Sequence, residues 1–299
     1  MNIKRFVSHD VRRKLLLAFS WVPDSIMLRF QYWLILRRWP DFKNPKGLNE
    51  KIQLYKFKYR NELMPGCVDK YTVREYVEKK LGSSDCLNEL YQVCNTADEI
   101  DFDTLPQQFV IKPTDGGNGD NVLVVRDKSK LNIEETIKKV NSWRNKKYYK
   151  YSREWAYIGA KDSRIIVEKL LDDPNNSDGS IDDYKFLCYN GKFRYLWVDK
   201  NRYSKHQRAW WNEKLNYLKG QKSTYDACDE EPALPQNIKE MIRLAEKLSE
   251  DFPFARVDFY NIQGKIIFGE ITFYPGSGYM LLPKDFDEEL GKYFDYKFD

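Results

Sequence analysis

A carboxylate inside an apolar strand is costly unless a cation pairs with it, and this chain carries two such carboxylates in succession near its C-terminal end. Asp258 lies in Ala255-Arg256-Val257-Asp258-Phe259, and Glu270 in Gly269-Glu270-Ile271-Thr272-Phe273-Tyr274-Pro275-Gly276. Asn261-Ile262-Gln263-Gly264 reads as the turn between the apolar runs 254–260 and 265–273, which predicts an antiparallel hairpin. Side chains alternate along a strand, so Arg256 and Asp258 share one face, and Glu270 and Thr272 share one face of the partner strand. A metal cation held by the two acids accounts for the pattern. An Arg256–Asp258 or Arg256–Glu270 ion pair serving packing accounts for it equally well.

With 299 residues, 42% of them hydrophobic, the chain can bury a sizeable core as one large unit or a few small ones. Lys plus Arg exceeds Asp plus Glu by 50 − 45 = 5, with the signs interspersed, which argues against a dedicated nucleic-acid binder. Cys67, Cys86, Cys94, Cys188 and Cys228 show no CxxC spacing, and with 2 histidines they build no zinc site. Free thiols in a reducing cytoplasm are the expectation. The N-terminal stretch Arg12-Arg13-Lys14-Leu15-Leu16-Leu17-Ala18-Phe19 and the run 26–35, with Arg29 and Gln31 inside, are too interrupted to span a bilayer, which takes about 20 apolar residues. An amphipathic packing helix is the preferred reading. An interfacial helix resting on the cytoplasmic membrane is the alternative, because Arg12, Arg13, Arg37 and Arg38 flank apolar, Trp-rich stretches.

Asp69 is a good N-cap for a helix over 70–81, with Val73, Tyr76, Val77 and Leu81 on one face and Gly82 as its stop. Lys70 then falls in the first turn, where the helix dipole disfavours a cation; an anionic ligand drawn to the same end and a merely solvated lysine are equal explanations. Phe109-Val110-Ile111-Lys112 leads into Thr114-Asp115-Gly116-Gly117-Asn118-Gly119-Asp120 and a return strand over 122–125. Such glycines let backbone N–H groups approach phosphate oxygens, with Lys112 just upstream as a point charge. Residues 164–171 read as a buried strand, and Asn190-Gly191 marks a type I′ hairpin turn between 184–189 and 192–198, with Lys185 among apolar neighbours. Trp210-Trp211 reads as packing, and Pro235 opens a helix whose apolar stripe is Ile238, Met241, Ile242, Ala245 and Leu248. The order of elements predicts an α+β protein of more than one lobe.

Lys70, Lys112 before its glycine loop, Glu168-Lys169-Leu170-Leu171 and the acidic hairpin occur in an order that resembles the ATP-grasp superfamily. Asn49-Glu50-Lys51-Ile52-Gln53, Asp69-Lys70-Tyr71-Thr72-Val73-Arg74-Glu75-Tyr76-Val77, Asp183-Tyr184-Lys185-Phe186 and Gly269-Glu270-Ile271-Thr272 resemble its teichuronopeptide-biosynthesis (TupA-like) branch, over about 40–291. The resemblance implies an ATP-grasp fold in which two antiparallel-sheet lobes sandwich ATP, behind a helical N-terminal region. It implies a division into 1–105, an N-terminal and acceptor-binding region, and 106–299, the ATP-grasp domain, with a glycine-loop lobe over 106–170 and a metal-binding lobe over 171–299. Lys112 and the loop Gly116, Gly117 and Gly119 would cover the phosphates, with Lys70 and Lys185 as further cations. Glu168, Lys169, Leu170 and Leu171 would form the strand against adenine, and Asp172 or Asp173 would reach the ribose. Asp258, Glu270 and Thr272 would hold Mg²⁺, and Arg256, with Lys112 and Lys185, would serve catalysis.

Thr272 stands where many ATP-grasp ligases have Asn, and the glycine loop lacks the His and Ser expected in this branch while carrying Asp115 and Asp120. The implied reaction is ATP-dependent ligation of a carboxylate to an amine through an acylphosphate, with an amino acid and a uronic acid of a cell-surface polysaccharide as substrates. Rival readings are a sugar kinase on the same nucleotide site, a capsule glycosyltransferase using Asp182-Asp183 as its acidic pair, and a nucleotide-dependent binding module.

Overall fold

The computed structural model describes residues 16–115, 121–143, 152–158, 163–174, 176 and 179–297. A helical N-terminal region comprises α1 (Asp24–Leu36), α2 (Leu48–Lys58), α3 (Leu63–Val68) and α4 (Val73–Leu81). It is followed by β1 (Leu90–Cys94), β2 (Phe109–Pro113), β3 (Leu123–Val125), α5 (Ile133–Asn141) and β4 (Ile165–Lys169). The second half contains β5 (Asp183–Tyr189), β6 (Lys192–Lys200), β7 (Gln207–Asn212), β8 (Asp226–Ala227), α6 (Ile238–Ser249), β9 (Phe254–Ile262), β10 (Lys265–Thr272) and α7 (Lys284–Lys292).

The strands form a 4-stranded sheet, ordered β1-β4-β2-β3, and a 6-stranded sheet, ordered β10-β9-β5-β6-β7-β8. Every pairing is antiparallel except β7 with β8. Strand β1 precedes the boundary drawn at 105, yet it pairs with β4 inside the smaller sheet. Period-2 alternation explains each layer. Phe109, Ile111, Ile165 and Val167 turn one way into a small core with Val125, Val140 and Trp143, leaving Val110, Lys112, Ile166 and Glu168 on the opposite face. The larger sheet packs Phe186, Val257 and Phe259 against the stripe of α6, where Ile238, Met241, Ala245 and Leu248 are buried. Pro235 lies upstream of that helix, which begins at Ile238.

Two hairpins follow their turn chemistry. Asn190 and Gly191 have φ of 48° and 71°, the left-handed pair that a type I′ turn requires. The β9–β10 turn is tighter than the run 261–264, because only Gln263 and Gly264 lie between the strands, while the Asn261 side chain accepts the Gly264 N–H at 3.1 Å. Helix α4 begins later than expected. Asp69 accepts the N–H groups of Tyr71 at 3.0 Å and Thr72 at 2.9 Å, but it closes a turn rather than capping the helix, which starts at Val73 after Thr72, with Lys70 ahead of it. A hydrogen bond from Lys70 N to Thr114 O, 3.0 Å long, ties this turn to the end of β2.

Helix α1 buries Met27, Leu28, Gln31 and Tyr32 and leaves Ile26 and Phe30 exposed, next to an exposed Trp39 stacked on Trp33 at 5.6 Å. No helix among the described residues is long and apolar enough to cross a membrane. All five cysteines are buried and free.

Candidate nucleotide and metal site

The smaller sheet and the larger one face each other across a cleft, with Lys70, Arg74, Lys112, Glu168 and Leu171 on one side and Tyr260, Phe268 and Gly269 on the other. Lys112 reaches this cleft because alternation on β2 turns it away from the small core. Its Nζ lies 2.6 Å from Glu168 Oε2 on β4, and Arg74 Nη1 lies 3.6 Å from the other oxygen of Glu168. Burial lowers the pKa of the Lys70 ammonium; Glu270 opposes that shift and Lys112 adds to it, which puts both lysines and Glu270 in one electrostatic neighbourhood. Gly116, Gly117 and Gly119 lie outside the described residues.

The segment expected to meet adenine is partly committed already. Lys169 N donates to Glu89 O at 2.9 Å, and Lys169 O accepts from Asn88 Nδ2 at 2.9 Å, while its side chain points outward to Glu89. The strand ends at Lys169; Leu170 and Leu171 follow it, and of the two it is Leu171 that lines the cleft. The neighbouring aspartates divide sharply: Asp172 is exposed, 3.8 Å from Arg126, and Asp173 is buried.

On the larger sheet the hairpin brings four side chains onto one face. A β-bulge between Phe268 and Glu270 resets the register so that Glu270 faces Asp258 and Thr272 faces Arg256. Gly269 is the bulge residue, and a Cβ there would stand 3.1 Å from Asp258 O. Arg256 Nε donates to Asp258 Oδ1 at 2.7 Å, and its Nη2 donates to Asp258 Oδ2 at 2.6 Å, Glu270 Oε1 at 2.6 Å and Thr272 Oγ1 at 3.0 Å. The Thr272 hydroxyl donates in turn to Glu270 Oε1 at 2.8 Å. Both ion pairs that the sequence allows are therefore made by one guanidinium.

Lys185 joins this cluster from the adjacent strand, where it is in register with Asp258. Its Nζ lies 2.5 Å from Asp258 Oδ2 and 2.5 Å from Asp183 Oδ2. Burial, with the carboxylates of Asp183 and Glu270, pushes the Asp258 carboxyl up to about 6 against the pull of Arg256 and Lys185. Burial also pushes Glu270 upward, but there Arg256, Lys185, Lys70 and the Thr272 hydroxyl win and hold it at about 2. Asp258 is 1% exposed and the Glu270 side chain 45%, but the difference follows from their neighbours: two further carboxylates bear on Asp258, whereas three cations and a hydroxyl bear on Glu270.

Sequence reasoning missed much of the surroundings. Asp199 and Arg208 extend the charged face across β6 and β7 as a bidentate pair at 2.7 and 3.0 Å, with Arg208 lying 4.7 Å over the ring of Trp197. It also missed a polar stripe on α2, where Asn49, Gln53 and Lys56 are buried at helical spacing. These three hold the loop after β10: Asn49 bonds Met280, Gln53 Nε2 donates to Gly278 O at 2.7 Å, and Lys56 Nζ donates to Ser277 Oγ at 3.0 Å. Ser277 Oγ donates to the buried Glu154, and Gly276, Ser277 and Gly278 are all left-handed, with φ of 56°, 57° and 68°. Polar residues every third or fourth position inside an apolar helix face were the available signal.

Among the described residues there is no group of three or more His, Cys, Asp or Glu side chains that could hold a metal. Asp258, Glu270 and Thr272 nevertheless supply hard oxygen atoms converging on one point, the position of Arg256 Nη2. That chemistry fits a hard divalent cation, with a hydroxyl completing the set of two carboxylates.

The model of the TupA-like ATP-grasp family matches residues 50–295. Among solved structures, the chain is similar to D-alanine–D-alanine ligase from Bacillus anthracis, with 19% identity over 76% of this chain and 66% of that one and a TM-score of 0.47. It is similar to the corresponding ligase from Helicobacter pylori, with 18% identity over 83% and 70% of the two chains and a TM-score of 0.44. N5-carboxyaminoimidazole synthetase from Staphylococcus aureus, complexed with ADP, shows 13% identity over 69% and 44% and a TM-score of 0.42. The chain thus spans less than two thirds of the length of the first and third of these proteins. No curated protein matches it.

Proposed function

The chain belongs to the TupA-like ATP-grasp family, and from that membership we propose that it is an ATP-dependent carboxylate–amine ligase. A carboxylate oxygen attacks the γ-phosphorus of ATP, ADP leaves, and an amine displaces phosphate from the acylphosphate to give an amide. The observation that carries this reading is the nearness of two charged groups: Lys112 and Arg74 on Glu168, with Lys70 beside them in the cleft, and the Arg256, Asp258 and Glu270 cluster, whose Glu270 carboxylate acts on Lys70. Phosphoryl transfer of this kind needs positioning and charge stabilisation rather than a protein nucleophile.

In this reading Lys112 and Lys70 hold phosphate oxygens, together with the loop of Gly116, Gly117 and Gly119. Leu170 and Leu171 pass adenine between the sheets, and Asp173 or Asp172 meets the ribose. Asp258, Glu270 and Thr272 would hold Mg²⁺, whose chemistry is to neutralise triphosphate charge. Arg256 stabilises charge on the transferred phosphoryl group, and Lys185 keeps Asp258 ionised and oriented. The division at residue 105 is kept as a proposal, with β1 added to the glycine-loop lobe on account of its pairing with β4.

The substrates proposed are an amino acid and a uronic-acid carboxylate of a cell-surface saccharide. The exposed aromatic surface of Trp21, Phe30 and Trp39, beside Arg37, is the proposed acceptor-side surface. A screen of ADP release over amino acids and uronic-acid acceptors, with mass spectrometry of the products, tests the reading. An amide product formed only when both substrates are present is expected. ADP release that needs no amine and leaves phosphate on the sugar would replace the ligase with a kinase.

A further inference from the structure

We infer that Arg256 is the resident cation of the metal point, so that a divalent ion can bind only when the guanidinium leaves, and does so in company with the nucleotide. The inference rests on the reading of Asp258, Glu270 and Thr272 as the metal donors. One oxygen from each lies 2.6, 2.6 and 3.0 Å from the same nitrogen, Arg256 Nη2. A metal ion bonded to those oxygens at about 2.0–2.1 Å would have to occupy the space of that nitrogen. Two cations cannot share it.

The surrounding charges give the reason for joint entry. Asp183, Asp258 and Glu270 are matched by Arg202, Lys185 and Arg256, with Arg202 Nη1 3.2 Å and Lys185 Nζ 2.5 Å from Asp183 Oδ2. A divalent ion entering alone would leave this largely buried cluster with excess positive charge. A triphosphate arriving with it supplies the missing negative charge and a new partner for the displaced guanidinium. The side chain is otherwise well tethered, since Nε is bonded to Asp258 Oδ1 at 2.7 Å and the group lies 5.4 Å over the ring of Trp197. Glu270 is the half-exposed donor, and its carboxylate acts on Lys70, which lines the cleft.

Titration of the full-length protein with Mn²⁺ and no nucleotide, followed by the electron paramagnetic resonance signal of free Mn²⁺, tests this directly. Arg256→Gln removes the charge and should bind Mn²⁺ about tenfold or more tighter than the parent. Arg256→Lys, which keeps a cation, should stay as weak as the parent, and adding Glu270→Gln to Arg256→Gln should abolish the gain. Melting curves establish that each variant is folded. Equal Mn²⁺ affinity in the parent and in Arg256→Gln would overturn the inference, as would a folded Arg256→Gln protein that binds none. Failure of the parent to bind Mn²⁺ with a non-hydrolysable ATP analogue, with the Arg256→Gln gain intact, would overturn joint entry with the nucleotide, and the nucleotide reading with it, while supporting Arg256 as the occupant of the metal point.

Discussion

Lys112 Nζ lies 2.6 Å from Glu168 Oε2, so the lysine that precedes the glycine-rich stretch and the acid near the end of β4 form one ion pair across β2 and β4. Arg74 shares the same carboxylate from α4. Glu168 therefore holds two cations, Lys112 and Arg74, which line the same cleft.

Lys112→Met should raise the Kd for ATP about 10- to 100-fold, the loss of one charge-assisted phosphate contact. It should also cost about 1–3 kcal/mol of stability, because Glu168, 5% exposed, is left with Arg74 alone. Calorimetric titration and urea unfolding read the two effects separately. An unchanged Kd would take Lys112 out of the phosphate set.

Asp258 and Glu270 should behave differently when truncated. Asp258→Ala leaves Arg256 and Lys185 without their shared carboxylate in the interior and should destabilise the fold by about 3–5 kcal/mol. Glu270→Ala removes a half-exposed partner, so stability should change by less than about 1 kcal/mol while ADP formation is lost. Melting curves beside ADP release check both; normal turnover in Glu270→Ala would exclude it from the metal set.

Acid unfolding should carry the signature of Glu270. Its folded-state pKa of about 2 lies below the ordinary 4.5, so the native state binds that proton less tightly than the unfolded chain. Its stabilisation, held by solvent screening at this half-exposed side chain to about 1 kcal/mol or less, is present above pH 4.5 and is lost as pH falls from 4.5 towards 2. Asp258, raised from 3.8 to about 6, acts in the opposite sense, with stability falling as pH rises through that interval. Glu270→Gln should flatten the loss between pH 4.5 and 2 in denaturant melts and, by removing one of the charges that raise Asp258, shrink the Asp258 limb as well.

Trp21 and Trp39 are 77% and 65% exposed, so replacing both with Ala should hardly alter the melting temperature. If their surface receives the acceptor, co-sedimentation with uronic-acid polysaccharide should fall markedly. Anionic vesicles in a parallel arm test contact with a membrane. Unchanged binding in both arms would remove this surface from the acceptor side.

Period-2 alternation along 254–260 and 265–273 was enough to place Arg256 with Asp258 and Glu270 with Thr272, because side-chain direction in a strand is a local property. Asn190-Gly191 likewise marked its hairpin, since few residues tolerate two left-handed positions in a row. The α+β class and the family followed from the order of such local signals. The stripe Asn49, Gln53 and Lys56 was also written in the helical period, although nothing local said that it would hold the loop of Ser277 and Met280.

Lys70 shows where local reasoning ends: the Asp69 side chain holds a turn rather than the helix start, which lies at Val73, and Lys70 N is bonded to Thr114 O, a partner far along the chain. The acidic hairpin shows it more strongly. Its strands and faces could be read from residue order, but whether Asp258 and Glu270 meet depends on the bulge at Gly269, and their sharing of Arg256, with Lys185 added from β5, depends on how distant strands dock. Local pattern governs which way a side chain points; register and docking, settled by packing among segments remote in sequence, govern what it finds there.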